Sequence, residues 1–263
     1  MTETNLSSES SEDAAIATSG LTRRFGSTVA VSDLDLSIPQ GTVYGFLGPN
    51  GAGKTTTIEM LTTLLPPSSG DGWVMGVPIT DRDRVKRHIG YLPHESPAYE
   101  SFTAREQLAY AADLRGMDAA AADERIETLL DRIDLLGAAD DRIGTYSQGM
   151  RRKVGLVQAL LHEPDVAFLD EPTNGLDPRA SRTVMELITE QVESGTTVFL
   201  SSHILSVVEE LANTVGVLYD GKLVAEDSPA ELVKRTERTE GAGTLEEAFL
   251  EITTDDTTTT NVR

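Results

Sequence analysis

Hydrophobic residues recur along the chain with two spacings, and each spacing predicts one kind of element. Uninterrupted apolar runs predict buried strands at residues 43–47, 89–92, 166–169 and 197–200. Apolar residues three or four positions apart predict helices at residues 126–136 and 184–192. Strands and helices that alternate in this way are typical of an α/β fold.

Other patterns surround this alternating core. Strand patterns at residues 17–24 and 29–38 come first, and a turn at residues 220–221 predicts a late β-hairpin. A capping box at residues 103–106 opens a helix, so we expect residues 95–144 to form a helical insert.

Both ends of the chain are poor in core-forming residues. Residues 1–15 are rich in Ser and Glu, and we expect them to be disordered. At the other end, residues 245–252 predict a short helix, and the Thr- and Asp-rich tail after it is expected to be unfolded.

The segment after the first buried run has the spacing of a phosphate-binding loop. It fits G-x-x-x-x-G-K-[ST] without a mismatch, in the residues Gly48-Pro49-Asn50-Gly51-Ala52-Gly53-Lys54-Thr55. Glycine allows successive N–H groups to turn inward as an anion site, and the helix expected from about Gly53 adds its positive end. In this pattern Lys54 reaches the β- and γ-phosphates, and the Thr55 hydroxyl holds Mg²⁺.

Composition excludes several kinds of chemistry. The chain has 263 residues, of which 39% are hydrophobic, enough for one large domain or a core with a small subdomain. It has no Cys, so disulfides and zinc–thiolate sites are excluded. No apolar run approaches the roughly 18 residues of a membrane span, and the acidic start is unlike a signal peptide, so we expect a cytoplasmic protein.

The charge is strongly negative. Asp and Glu number 43 against 22 Lys and Arg, which gives a net charge of −21. Such a surface repels nucleic acid and anionic lipid at ordinary salt, but it suits a molar-salt cytoplasm, where the Debye length is roughly 3 Å. We therefore predict a halophilic protein. The alternative is an ordinary acidic surface, and stability measured against KCl separates the two.

Several further motifs stand in a specific order. The sequence YSQGM at residues 146–150 stands where ATP-binding-cassette (ABC) transporter ATPases have their signature, usually LSGGQ. Residues 170–171 resemble the Walker B motif, residues 174–177 resemble the D-loop, and His203 stands at the switch-histidine position. From residue 21 to residue 228, the chain resembles the nucleotide-binding subunit of an ABC transporter.

The resemblance implies a fold and a division of the chain. The fold is α/β, a P-loop NTPase core of the ABC type with a mixed sheet and helices, plus an antiparallel β subdomain and a helical subdomain insert. The expected ATPase domain spans residues 16–235 and its helical subdomain about residues 95–162, while residues 236–263 hold the short helix and the tail.

The resemblance also implies ATP and Mg²⁺ as cofactors. The expected nucleotide-binding residues are Phe25, Gly48, Pro49, Asn50, Gly51, Ala52, Gly53, Lys54, Thr55 and Thr56. On spacing alone Phe25 is better explained as a residue at a hairpin end, but it stands where the family has an aromatic ring that stacks on adenine.

Catalysis is expected from Lys54, Glu171 and His203. Asp170 ends a strand and is a hard oxygen ligand suited to Mg²⁺, as is Thr55. Glu171 is expected to point away from Asp170 and to accept a proton from the attacking water. His203 is expected to bond the γ-phosphate.

Other positions are expected to act across a dimer. Asp177 before Pro178 predicts a helix N-cap, and the family adds a D-loop contact between subunits. Ser147 also predicts an N-cap, and the resemblance implies that Ser147, Gln148 and Gly149 contact ATP held by a second subunit.

The chain departs from the family pattern at two places. Its signature lacks the first Gly and the final Gln of LSGGQ, and His94 replaces the usual Q-loop Gln. A protonated imidazole cannot bind Mg²⁺, so either neutral His94 is a ligand, or water takes its place, or Glu95 substitutes.

Residues 91–93, 101–106 and 244–250, with YSQGM, resemble the ATPase subunits of ABC-2-type exporters. This implies a separately encoded permease, a position on the inner face of the membrane and a second ATPase subunit, most simply an identical one. An importer ATPase is the nearer alternative. A soluble ABC ATPase acting on DNA or ribosomes fits less well, because no coiled-coil insertion and only one cassette are present.

Overall fold

The computed structural model describes residues 14–95, 97–236 and 244–259, which form two β-sheets with helices around them. The strands are β1 (Ala14–Phe25), β2 (Thr28–Pro39), β3 (Val43–Leu47), β4 (Ser69–Val74), β5 (Val77–Pro78), β6 (Ile89–Leu92), β7 (Val166–Asp170), β8 (Thr197–Ser202), β9 (Thr214–Tyr219) and β10 (Lys222–Asp227). The helices are α1 (Lys54–Leu61), α2 (Arg82–His88), α3 (Ala104–Arg115), α4 (Ala119–Arg132), α5 (Gln148–Leu160), α6 (Pro178–Glu193), α7 (Leu205–Leu211), α8 (Pro229–Thr236) and α9 (Leu245–Thr259). Two 3₁₀ turns lie at Leu136–Ala138 and Ile143–Thr145.

The larger sheet positions the site. Its strand order is β10-β9-β3-β8-β7-β6, and all neighbours pair in parallel except β10, which is antiparallel to β9 as the predicted hairpin. Leu92 pairs with Leu169, and Asp170 pairs with Ser201, so these strands end at one level. We call the edge of the sheet where these parallel strands end the carboxyl edge, and the edge where they begin the amino edge. The smaller sheet is antiparallel, in the order β2-β1-β4-β5.

The central strands are covered on both faces. On β8, Val198 and Leu200 pack into the cluster formed with helices α3 to α6, whereas Phe199 packs into the cluster shared with the smaller sheet. The Phe199 ring centroid lies 5.5 Å from that of Tyr44 and 5.7 Å from that of Phe168. Strands buried on both faces need apolar residues at every position, and this is why they appear as uninterrupted runs in the sequence.

The helical insert begins and ends with the predicted signals. The Thr103 side chain and Glu106 form the capping box of α3, and Gly116 ends that helix in the left-handed region. Ser147 caps α5 by accepting a 3.2 Å bond from the Met150 N–H. The mixed-sheet α/β fold with an antiparallel sheet and a helical insert is confirmed. Within the described residues, no helix is both long and apolar enough to cross a bilayer.

Some predictions for the ends of elements are wrong. The disorder predicted for residues 1–15 does not hold for Ala14 and Ala15, which begin β1 and are buried, while residues 1–13 lie outside the described part. The last helix continues to Thr259 rather than stopping near residue 252. Within this helix the Thr253 hydroxyl donates a 2.8 Å bond back to the Phe249 carbonyl. Residues 260–263 also lie outside the described part.

Candidate active site

A cleft of about 570 Å³ opens at the carboxyl edge of the larger sheet. Most of its walls come from the phosphate-loop segment and from the residues that follow β6, β7 and β8. Its lining residues are Ala30, Asn50, Gly51, Gly53, Lys54, Thr55, Thr56, His94, Asp170, Glu171, Asn174 and His203. The structure therefore brings together the loop, the acidic pair and the histidine that the sequence placed far apart.

The loop needs glycine at particular positions. Gly51 and Gly53 have φ values of 83° and 108°, which side chains rarely tolerate. A Cβ at Gly53 would lie 2.3 Å from the Ala30 carbonyl oxygen, and one at Gly48 would lie 2.4 Å from that of Leu218. Helix α1 begins directly after Gly53, so its N-terminal end faces the cleft and favours an anion there.

Lys54 is folded back onto its own loop. Its Nζ donates to the Gly48 carbonyl at 2.6 Å and to the Pro49 carbonyl at 3.2 Å, and only 7% of the residue is exposed. Burial lowers the pKa of Lys54, and the nearby Glu171 and Asp170 carboxylates oppose that shift. The buried ammonium is thus held at the cleft wall by groups that an incoming phosphate can replace.

Asp170 and Thr55 meet at the floor of the cleft. The Thr55 hydroxyl donates to Asp170 Oδ2 at 2.9 Å, and the Ser201 hydroxyl donates to Oδ1. Asp170 is 1% exposed, so its orientation is fixed. Within the described residues, no three His, Asp or Glu side chains form a complete metal cluster. The Thr55–Asp170 pair fits a Mg²⁺ ion that takes its remaining oxygens from phosphate and water.

Glu171 lies just past the end of β7 and has a left-handed backbone, with φ of 56°. Its Oε2 lies 2.9 Å from His203 Nδ1, and it accepts a 3.3 Å bond from the His203 N–H and a 3.5 Å bond from the Ser202 hydroxyl. The prediction that Glu171 points away from Asp170 was based on side-chain alternation along a strand. That basis was wrong, because Glu171 lies beyond the end of the strand. The left-handed turn after β7 places its carboxylate, which is 5% exposed by residue, against the end of β8.

The signature and D-loop residues lie elsewhere. Ser147 and Asp177 are the predicted N-caps, and the bond from the Ala180 N–H to Asp177 lowers the pKa of that carboxyl. Gln148 packs against the backbone at Gly175, where a Cβ would lie 3.3 Å from the Gln148 side chain. Among the described residues that line the cleft, none comes from 146–150, and Asp177 is also not among them.

Phe25 is likewise not among the lining residues. It ends β1, is 47% exposed, and has the Arg23 guanidinium 4.6 Å from its ring centroid. Its predicted contact with adenine stays a prediction.

Three supporting groups were missed from the sequence. Ser201 and Ser202 bond the two acidic residues, and their position at the end of a parallel strand beside β7 is a signal that could have found them. Arg152 donates to the carbonyls of Pro93, His94 and Asp170. The sequence Arg151-Arg152-Lys153 contains no signal that distinguishes Arg152 from its neighbours.

Comparison with known proteins agrees with this geometry. A family model described as ABC transporter matches residues 31–174, more than half of the chain. The daunorubicin/doxorubicin resistance ATP-binding protein DrrA of Streptomyces peucetius is 42% identical, over 83% of this chain and 66% of the relative. The bacitracin transport ATP-binding protein BcrA of Bacillus licheniformis is 39% identical, over 85% of this chain and 72% of the relative.

A third relative is the Nod factor export ATP-binding protein I of Burkholderia lata, 37% identical over 81% of this chain and 70% of the relative. The chain thus spans about two thirds of the length of these relatives. A solved ATP-binding subunit of an ABC transporter is 28% identical, with a TM-score of 0.83 over 91% of this chain and 99% of that one. The chain belongs to the ABC transporter family and contains its ATPase domain.

Proposed function

We propose that the chain is the ATP-hydrolysing subunit of an exporter, and that it powers transport through a separately encoded membrane permease. One observation carries the proposal. A single cleft contains a glycine loop with a buried Lys54, the Thr55–Asp170 oxygen pair and the Glu171–His203 contact. These are the parts that phosphoryl transfer to water needs, because the protein supplies mainly position and charge.

Each group has a separate role in the proposed reaction. The loop amides and Lys54 bind the phosphates of ATP. Thr55 and Asp170 would hold Mg²⁺, which would supply positive charge to neutralise the phosphates. Glu171 accepts a proton from the attacking water, and His203 is placed beside it to bond the γ-phosphate. The 2.9 Å contact between them keeps both side chains at the same wall of the cleft.

A second copy is proposed to complete the site. Ser147 and Gly149 begin a helix whose N-terminal end favours phosphate, but they do not line the cleft among the described residues. A two-fold dimer would pair Lys54 of one subunit with Ser147 of the other and make two equivalent sites.

The direction of transport is inferred from the relatives. Their names refer to drug resistance, bacitracin transport and Nod factor export. The YSQGM signature and the residues near 101–106 and 244–250 also resemble ABC-2-type exporter subunits. We therefore propose export, with the ATPase bound peripherally to the inner face of the membrane through its permease.

The variant Glu171→Gln tests the proposed chemistry. It keeps the size of the side chain but removes the proton acceptor, so we expect ATP to bind as before while kcat falls about a hundredfold or more. Glu163→Gln is the control, because that side chain is 74% exposed at the amino edge. Unchanged turnover in Glu171→Gln, measured by phosphate release in molar KCl, would exclude Glu171 as the catalytic carboxylate.

The same variant tests the dimer, because slow hydrolysis preserves the ATP-bound state. Light scattering of Glu171→Gln should show a monomer without nucleotide and a dimer with Mg-ATP. Adding Ser147→Arg should abolish the dimer, since a long cation would obstruct the proposed contact. A monomer with ATP at high protein concentration would contradict the composite site.

A further inference from the structure

Arg152 lies beneath the cleft, on the first turns of α5, the helix that begins at the signature. It is 6% exposed. Its Nη1 donates to the Pro93 carbonyl at 2.5 Å and to the His94 carbonyl at 2.8 Å, and its Nη2 donates to the Asp170 carbonyl. Hydrogen bonds from a charged donor are stronger than neutral ones, so this contact is a firm connection between three segments.

The three carbonyls lie at or just beyond the ends of two neighbouring strands. Leu92 of β6 pairs with Leu169 of β7 at the carboxyl end of both strands. His94 and Asp170 both line the cleft. One guanidinium therefore sets the spacing of these two walls and attaches both of them to α5.

The buried charge is costly unless its surroundings are fixed. Burial lowers the pKa of Arg152 to about 10, while Asp170 and Glu171 favour the charged form, so the cation persists at neutral pH. The phosphate loop lies instead between β3 and α1, and within the described part of the chain Lys54 donates its hydrogen bonds to loop carbonyls. The loop meets this wall through the Thr55–Asp170 bond, but the groups that bind phosphate are the loop amides and Lys54, which belong to a different part of the structure.

We propose that Arg152 is a positioning residue that holds Asp170 and His94 in place for Mg-ATP. The proposal rests on the function proposed above. It predicts that loss of the guanidinium impairs the use of the metal while phosphate binding by the loop is retained.

The test compares Arg152→Met with Arg115→Met. Arg115 makes an analogous contact at the other end of β6, where its guanidinium donates to the Lys86 carbonyl at 2.5 Å and to the Ile89 carbonyl at 3.2 Å. Thermal unfolding of both variants gives the structural cost of each, and all assays are run well below the lower midpoint. Arg152→Lys, which keeps the charge with a shorter reach, is the conservative variant.

Three quantities are measured for each protein. They are the Kd of a fluorescent ATP analogue with and without Mg²⁺, the Mg²⁺ concentration that gives half-maximal turnover, and kcat. For Arg152→Met we expect Mg-free Kd within about twofold of the parent, a Mg²⁺ requirement raised about fivefold or more and kcat lowered about tenfold or more. The values for Arg152→Lys should lie between those of the parent and Arg152→Met. Arg115→Met should match the parent in Kd, Mg²⁺ requirement and kcat.

The outcomes separate the two proposals. If the parent binds no ATP analogue, the proposed function fails and this inference fails with it. If the parent binds and hydrolyses ATP but Arg152→Met has the parent's Mg²⁺ requirement, only the positioning role is refuted. A loss of kcat in Arg152→Met that Arg115→Met reproduces at equal loss of thermal stability would also refute it, because the effect would then be structural.

Discussion

The two edges of the larger sheet bury polar groups in opposite ways. At the carboxyl edge, Lys54, Asp170 and Glu171 are all nearly inaccessible, and charges of both signs lie within one cleft. At the amino edge, His162 Nε2 lies 3.0 Å from the Ile89 carbonyl, and its buried Nδ1 has no partner in the described part of the chain. Burial, assisted by the cationic Arg115, lowers the pKa of His162 to about 4.

This difference indicates that the carboxyl edge serves function and the amino edge serves stability. A cluster of buried charges is stable only when opposite charges and hydrogen bonds oppose the desolvation of each ion. The carboxyl edge has such a cluster, which suits an edge that binds a charged ligand. At the amino edge the buried polar group, His162, is instead uncharged, because burial and the neighbouring Arg115 both lower its pKa. We therefore expect changes at the first edge to affect nucleotide chemistry and changes at the second to affect stability.

The largest effect is expected from Lys54→Met. Loss of the ammonium should weaken ATP binding at least about a hundredfold, or roughly 2.7 kcal/mol, by removing the charge that faces the phosphates. Stability should not fall, because the variant also removes a desolvated cation. Calorimetric titration with ATP and thermal unfolding measure the two effects. Lys86→Met is the control, since Lys86 is 59% exposed on α2. A lower unfolding midpoint with unchanged ATP affinity would show that Lys54 at the carboxyl edge serves stability rather than nucleotide binding.

The next effect concerns the stability contributed by the amino edge. Because the folded-state pKa of His162 is below the ordinary value of 6.5, the unfolded chain takes up a proton that the folded chain does not. The stability that neutral His162 contributes to the fold is therefore present above pH 6.5 and is lost as the pH falls toward about 4. Between about pH 7 and about pH 5 we expect the parent to lose roughly 1–2 kcal/mol more than His162→Gln does. Urea unfolding at both values measures this difference, and equal losses would show that the imidazole is not held neutral by the fold.

A smaller effect, on thermal stability, is expected from the charged surface outside both edges of the sheet. With a net charge of −21, exposed carboxylates repel one another, and salt reduces that repulsion. For a halophilic protein we expect the unfolding midpoint to rise by several degrees and to continue rising between about 0.5 M and about 2 M KCl. A midpoint that levels off at a few tenths molar would indicate an ordinary acidic surface. Sucrose of equal water activity is the control for solvent exclusion.

The sequence predicted most of the fold because its central strands need apolar residues on both faces. Short helices such as α2 and α8 were missed, since seven or eight residues complete too few turns to show a period. In the site, the phosphate loop was found by spacing, and the acidic pair and histidine by their resemblance to the family motifs at strand ends. Arg152 was not found because only the packing of α5 determines which of three consecutive cations faces inward. The left-handed backbone at Glu171 could not be predicted either, because glutamate rarely adopts that conformation.

The smallest effect is expected at His94, where the chain departs from its family. His94 lines the cleft near Asp170, and its carbonyl is held by Arg152. An imidazole nitrogen suits Mn²⁺ better than Mg²⁺, whereas an amide oxygen suits the harder Mg²⁺.

If the His94 ring is a ligand of the metal, the ratio of turnover with Mn²⁺ to turnover with Mg²⁺ should fall about threefold in His94→Gln. His94→Ala should lower the ratio as well, because water is also an oxygen ligand. Glu95→Gln is the control, and it tests the neighbouring carboxylate as a substitute ligand. Equal ratios in the parent and both His94 variants would show that the ring does not bind the metal, and a changed ratio in Glu95→Gln alone would assign the position to Glu95.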